Sequence, residues 1–211
     1  LNPDANLICA PSDHLISDEE EFRRVCTDAL QFTSHIKALL NLGIKPTYPN
    51  TGYGYIQYEQ HAVSENIYKV KTFTEKPDLA LAKTFIASGD FLWNASIFDW
   101  QVKNIIKAYK KYLPELTEVF ETEKSSFNTK NEKEAIERIY PLCVNISIDY
   151  GIMEKADNVF IIPSSFGWSD LGTWASTYDN LEKDYLGNAV AGNNVMVIDA
   201  TGNMVHADNK K

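Results

Sequence analysis

Basic charge is scarce in this chain of 211 residues. Aspartate and glutamate number 29 against 20 lysines and arginines, so the formal net charge is −9 and the isoelectric point lies near 4.9. A nucleic-acid binder needs a basic face to meet phosphates, and that class is excluded. Only Arg23, Arg24 and Arg138 carry guanidinium groups, and the first two follow "DEEEF" as solvated partners of those acids. Cysteine is equally sparse: Cys9, Cys26 and Cys143 are far apart, odd in number, and form no Cys-x-x-Cys or Cys/His cluster. That pattern offers neither a disulfide framework nor a zinc site and fits a reducing cytoplasm. No apolar run reaches the roughly 20 residues of a membrane span, and "LNPDANLICA" has no basic signal-peptide start. Walker and G-x-G-x-x-G loops are missing, as is a G-x-S-x-G elbow. His35, His61 and His206 have no acidic or cysteine neighbours at ligand spacing and read as surface or packing residues.

What is present is an alternation of strands and helices. "NLICA" (6–10) reads as a short buried strand, and 18–42 as a long helix opened by acids and closed at Gly43. "YGYIQYE", "IYKVKTFTEK", "FLWNASIFDW" and "NVFIIP" read as strands. Helices are expected over "PDLALAKTFIASG", 101–112, 114–123, "NEKEAIERIY" and 172–182, with a helix or turn within 145–156. The tail "NNVMVIDATGNMVHA" reads as a hairpin around "TGN". The expected class is therefore α/β, with a mixed, mostly parallel sheet flanked by helices. Both ends read as cut from a longer protein.

Several polar residues stand where chemistry could occur. Asp13 follows the first strand directly, at the edge where open α/β sheets bind ligands. It could hold a divalent cation, or "PSDH" could be a turn in which it caps amides. Asp170, between Trp168 and Trp174, could cap the following helix or share one Mg²⁺ with Asp13 inside aromatic walls. Gly54 is either a turn residue or a place of close ligand approach. Glu75 and Lys76 are either a surface ion pair or a hydroxyl acceptor and a phosphate-facing cation. Asn94, in an aromatic strand, must bond either backbone or a sugar hydroxyl.

Taken in order, "APSDH", "TGYGYI", "FTEKP", "FLWNASIF", "IDYGIMEKAD" and "GWSDLGTW" resemble the sugar-phosphate nucleotidylyltransferases, in particular the bacterial mannose-1-phosphate guanylyltransferases. The resemblance covers nearly the whole chain. It implies a Rossmann-like nucleotide-diphospho-sugar transferase fold, incomplete here, with a catalytic domain over 1–190 and the strand-rich start of a C-terminal segment over 191–211. It implies Mg²⁺ held by Asp13 and Asp170, a sugar site with Gly54, Glu75, Lys76 and Asn94, and a less defined role for Asp149 and Tyr150. Lys76, Asp13 and Asp170 would be the catalytic set. The implied substrates are GTP and α-D-mannose 1-phosphate, converted to GDP-mannose and pyrophosphate. A UTP- or dTTP-dependent enzyme acting on glucose 1-phosphate, or a non-catalytic nucleotide-sugar-binding subunit, are the alternatives. A homo-oligomer is compatible with the sequence; nucleic acid and membrane partners are not expected. Two departures stand out. The family's G-x-G-x-R-x-x-P loop is missing, so the chain alone is expected to be inactive or nearly so. Ser96 also stands where the family usually has glycine.

Overall fold

A computed structural model describes residues 2–207. The strands are β1 (Asn6–Cys9), β2 (Leu15–Ile16), β3 (Leu39–Ile44), β4 (Tyr55–Ser64), β5 (Ile67–Thr74), β6 (Phe91–Gln101), β7 (Val159–Ser164), β8 (Trp168–Ser169), β9 (Ala189–Ala191) and β10 (Met204–His206). The α-helices are α1 (Glu19–His35), α2 (Leu79–Ser88), α3 (Val102–Tyr112), α4 (Pro114–Thr122), α5 (Glu132–Ile139) and α6 (Trp174–Asn180). No helix among the described residues is long and apolar enough to cross a membrane. The chain divides into two compact units: Leu1–Pro11 with Asp18–Phe166, and Ser12–Ser17 with Gly167–Lys211. The boundary expected at 190 therefore falls inside the second unit.

The first unit is built on a six-stranded sheet in the order β1-β6-β3-β7-β5-β4, with β4 also pairing β6. The sheet is mixed and helix-flanked as expected, but its balance is the reverse of the expected one. Among the described residues only its β3–β7 pairing is parallel; the other five are antiparallel. Consecutive strands β4 and β5 are joined by a short turn, which forces antiparallel pairing. The first strand is not buried: it lies at the sheet edge, with Leu7 41% and Ile8 37% exposed.

Helix α1 begins where the sequence places it. Asp18 caps it by accepting the Glu21 N–H at 3.0 Å, and Glu19, Glu20 and Glu21 fill the first turn. It ends at His35 rather than continuing to 42. Its buried residues Val25, Cys26, Ala29 and Thr33 keep one face of a helix, and Ile36 is already extended at φ −113°. "LLNLGI" then forms β3, every residue of which is buried. A short apolar run covered on both faces carries no periodicity to separate strand from helix. Side chains of Leu39, Phe98, Trp100, Ile105, Ile152 and Val159 belong to the largest described core cluster. Truncating Leu39 to alanine there would cost about 2–5 kcal/mol. Helix α2 follows its punctuation: Asp78 accepts the Leu81 N–H at 2.8 Å, and Gly89 closes it at φ +76°.

In the second unit, β2 pairs antiparallel with β8, whereas β9 and β10 run parallel. The expected tail hairpin is therefore not formed. Residues 193–200, read as its first strand, contain no strand. Ala189–Ala191 takes that place, and parallel neighbours need a longer crossover than "TGN" supplies.

Candidate active site

In the first unit, Gly54, Glu75, Asn94 and Asp149 come together from four separate segments. Gly54 immediately precedes β4, and its carbonyl accepts the Asn94 N–H at 2.8 Å. A Cβ at Gly54 would stand 2.6 Å from Glu75 Oε2 and 3.4 Å from the Asn94 Cβ. The missing side chain thus lets the Glu75 carboxylate lie against the backbone. Lys76 sits 3.7 Å from Glu75, with its side chain 66% exposed. An exposed pair of this kind adds little stability, and Lys76 adopts φ +45°.

Asn94 is the hub. Its Oδ1 accepts from Asn41 Nδ2 at 2.8 Å and from the Ser96 N–H at 2.9 Å. Its Nδ2 donates to Asp149 Oδ1 at 2.9 Å. The register of β3 on β6 shifts between Asn41 and Gly43, which pair with Phe98 and Asn94. This bulge contains Ser96 at φ +53°, in the region that favours glycine. The serine has taken a glycine-like backbone conformation.

Residues 145–156 do contain a helical turn, of the π type, over Asp149–Met153. Such turns recur at functional sites. The Glu154 N–H donates to the Asp149 carbonyl at 2.9 Å, so Asp149 and Glu154 sit one turn apart. Burial raises the Asp149 carboxyl above its ordinary value, opposed by the Asn94 hydrogen bond. Burial also raises Glu154, with Asp149 and Glu75 adding repulsion. The Tyr150 phenol is raised by desolvation first and then by Glu75, Glu154 and Asp149. Three carboxyl groups therefore act on one neighbourhood, beside the Asn94 amide and two exposed lysines, Lys76 and Lys155. Acceptors crowded in this way are relieved by a ligand rich in hydroxyl donors.

Sequence reasoning missed Asn41 and Glu154. Asn41 was hidden in a run read as helix. Glu154 lies five residues beyond Asp149, a spacing that only a π turn brings around.

The second unit holds the other two acids. Leu15 pairs with Ser169 and Ile16 with Trp168, so Asp13 and Asp170 leave the same end of this short antiparallel ladder. Trp168 Nε1 donates to His14 Nδ1 at 3.1 Å, and the rings meet edge to face. Asp170 Oδ1 accepts the Gly172 N–H at 3.0 Å, with Leu171 between them at φ +50°. Helix α6 starts only at Trp174 and is capped by Thr173, whose hydroxyl accepts the Ser176 N–H at 3.1 Å. Asp170 is therefore not the cap of this helix; its carboxylate caps the Gly172 amide in a tight turn instead. Trp174, however, is 77% exposed and does not wall the carboxylate.

Asp13 and Asp170 are both hard oxygen donors, and no group of three or more His, Cys, Asp or Glu gathers as a metal cluster among the described residues. A two-carboxylate set does not make a zinc site or a calcium cage. Were both carboxylates to hold one cation, it would be one such as Mg²⁺, which keeps waters and takes phosphate oxygens for its remaining positions.

A family model described as "Nucleotidyl transferase" matches residues 1–185. The xanthan biosynthesis protein XanB of Xanthomonas campestris pv. campestris is 35% identical over 191 residues, 88% of this chain and 39% of the relative. The mannose-1-phosphate guanylyltransferase of Salmonella montevideo is 34% identical over 214 residues, 99% of this chain and 45% of the relative. A crystal structure from Thermus thermophilus, solved as a mannose-1-phosphate geranyltransferase, aligns with TM-score 0.84 at 30% identity. The match covers 96% of this chain and 58% of that one. The chain thus spans about two-fifths of the length of the curated relatives it matches.

Proposed function

The chain belongs to the nucleotidyl transferase family, and from that premise we propose that it is the sugar-phosphate- and cation-binding part of a mannose-1-phosphate guanylyltransferase. The observation that carries this reading is the convergence of Gly54, Glu75, Asn94 and Asp149 in the first unit. Carboxylates and an amide arranged in this way bind the hydroxyls of a hexose, while Lys76 meets the charge of its phosphate. Relatives named mannose-1-phosphate guanylyltransferase support mannose over other sugars.

In the proposed reaction, an oxygen of the α-D-mannose 1-phosphate phosphate attacks the α-phosphorus of GTP in line. The new P–O bond forms as the bond to the pyrophosphate oxygen breaks, giving GDP-mannose and pyrophosphate. No covalent intermediate with the protein is needed. The residues of the chain contribute by position and charge: Glu75 and Asn94 orient the sugar, Asp149 orients Asn94, and Lys76 offsets phosphate charge. Asp13 and Asp170 would hold Mg²⁺, which supplies neutralisation of charge on the phosphates when bound.

The test is a substrate panel on the whole protein, pairing GTP, UTP and dTTP with mannose 1-phosphate and glucose 1-phosphate and following pyrophosphate release. Preference for GTP with mannose 1-phosphate is expected. Preference for UTP or dTTP with glucose 1-phosphate would replace the substrate assignment, and no turnover with any pair would overturn the enzyme reading.

A further inference from the structure

Asn41 is an anomaly in its strand. It stands in "LLNLGI", a run buried along its full length, and is itself 0% exposed. Its strand neighbours across the ladder are Phe98 and Ile161, both apolar. Its Nδ2 donates to Asn94 Oδ1 at 2.8 Å. Its Oδ1 is buried without a hydrogen-bond partner among the described residues. Burying half a carboxamide unsatisfied is unfavourable, and an apolar side chain of the same size would avoid it. A polar residue kept in such a place acts through the one bond it makes.

That bond fixes the direction of a side chain in the candidate sugar site. The Asn94 amide has two possible orientations. In the one observed, Oδ1 takes two donors, Asn41 Nδ2 and the Ser96 N–H, and Nδ2 faces the Asp149 carboxyl. In the flipped one, Nδ2 would face both donors, and Oδ1 would face a carboxylate. The Ser96 N–H cannot reverse its polarity and sets the direction, and Asn41, donating from Nδ2, adds a second donor to the same oxygen.

We propose that Asn41 is a positioning residue, which locks the Asn94 amide so that its donor face and the Asp149 carboxyl are presented together to the sugar hydroxyls. The ligand class rests on the function proposed above; the lock itself does not. Asn41 touches no ligand in this scheme. Its effect is on the free protein, whose site it pre-organises.

The experiment compares the wild-type chain with Asn41→Leu and Asn41→Thr. The readouts are urea unfolding, the Asn94 side-chain amide signals in ¹⁵N–¹H spectra, and calorimetric binding of mannose 1-phosphate. Asn41→Leu removes the donor and the unsatisfied oxygen together. It is expected to unfold at the same or higher urea concentration, to shift or broaden the Asn94 amide pair, and to bind the sugar phosphate about tenfold more weakly. Asn41→Thr keeps a side-chain donor and is expected to restore part of the amide signature and of the affinity. An Asn41→Leu chain that is folded, with Asn94 signals and affinity unchanged, would overturn the proposal. So would a loss of binding matched by an equal loss of stability in both variants, which would make Asn41 a structural residue only. If the wild-type chain binds no sugar phosphate, the functional reading fails while the amide signals still decide whether the lock exists.

Discussion

Asp99 offers a sharp test of the electrostatics of the core. It lies in β6, fully buried, between Ile8 of β1 and Leu40 of β3. The Thr33 hydroxyl donates to its Oδ1, while its Oδ2 has no partner among the described residues. Burial pushes its carboxyl from 3.8 up to about 6, with the Thr33 bond pulling the other way. The folded value is raised, so the neutral form is favoured by folding. The associated stability is fully present below 3.8 and is lost as the pH rises through about 6. The separation between the two values corresponds to about 3 kcal/mol, and roughly half of it has been regained one pH unit below the folded value. Asp99→Asn keeps the shape and an acceptor for Thr33 but cannot ionise. Urea unfolding of both proteins should show the variant more stable by about 3 kcal/mol at pH 8, with the gap narrowing to roughly half at pH 5. A gap of constant size, or a variant less stable at pH 8, would refute the claim that the charged form is the disfavoured one.

Two further outcomes follow from the site. Ser96→Gly should stabilise the chain by about 0.5–1 kcal/mol in urea unfolding, because φ +53° strains serine more than the added backbone entropy of glycine costs; a loss of stability would mean that the serine side chain has its own stabilising role. Gly54→Ala should leave unfolding nearly unchanged, since its Cβ meets the movable end of Glu75 at 2.6 Å, yet weaken mannose 1-phosphate binding by displacing that carboxylate; unchanged affinity by calorimetry would remove Glu75 from the sugar site.

The parts of this structure that announced themselves in the sequence are those with local signals. Pro77, Asp78 and Gly89 bracket α2, the acids after Ser17 open α1, and aromatic alternation marks β4 through β6. The parts that did not are decided by distant residues. β3 is a strand because β6 and β7 cover its edges, and nothing within "LLNLGI" states this. The parallel pairing of β9 with β10 likewise depends on a crossover and not on the "TGN" turn. The residues of the site were legible as residue types, Gly54 and Glu75 beside strand ends and Asn94 within a strand, since each left a polar or conformational question that its segment could not answer alone. Asp149 came from the family resemblance, and its partnership with Asn94 spans 55 positions. Asn41 and Glu154 needed the fold, one because its run mimics a helix and the other because its turn is not α-helical. Around Asp170 the local reading erred in both directions: the cap is Thr173, and Trp174 is turned to solvent.

The most direct test of the central claim is calorimetric titration of mannose 1-phosphate into this chain with and without Mg²⁺, beside Asp170→Ala. The account predicts binding by the wild type that Mg²⁺ strengthens, with that strengthening lost in the variant. Binding absent from the wild type in both conditions, or an equal Mg²⁺ effect in Asp170→Ala, would contradict it.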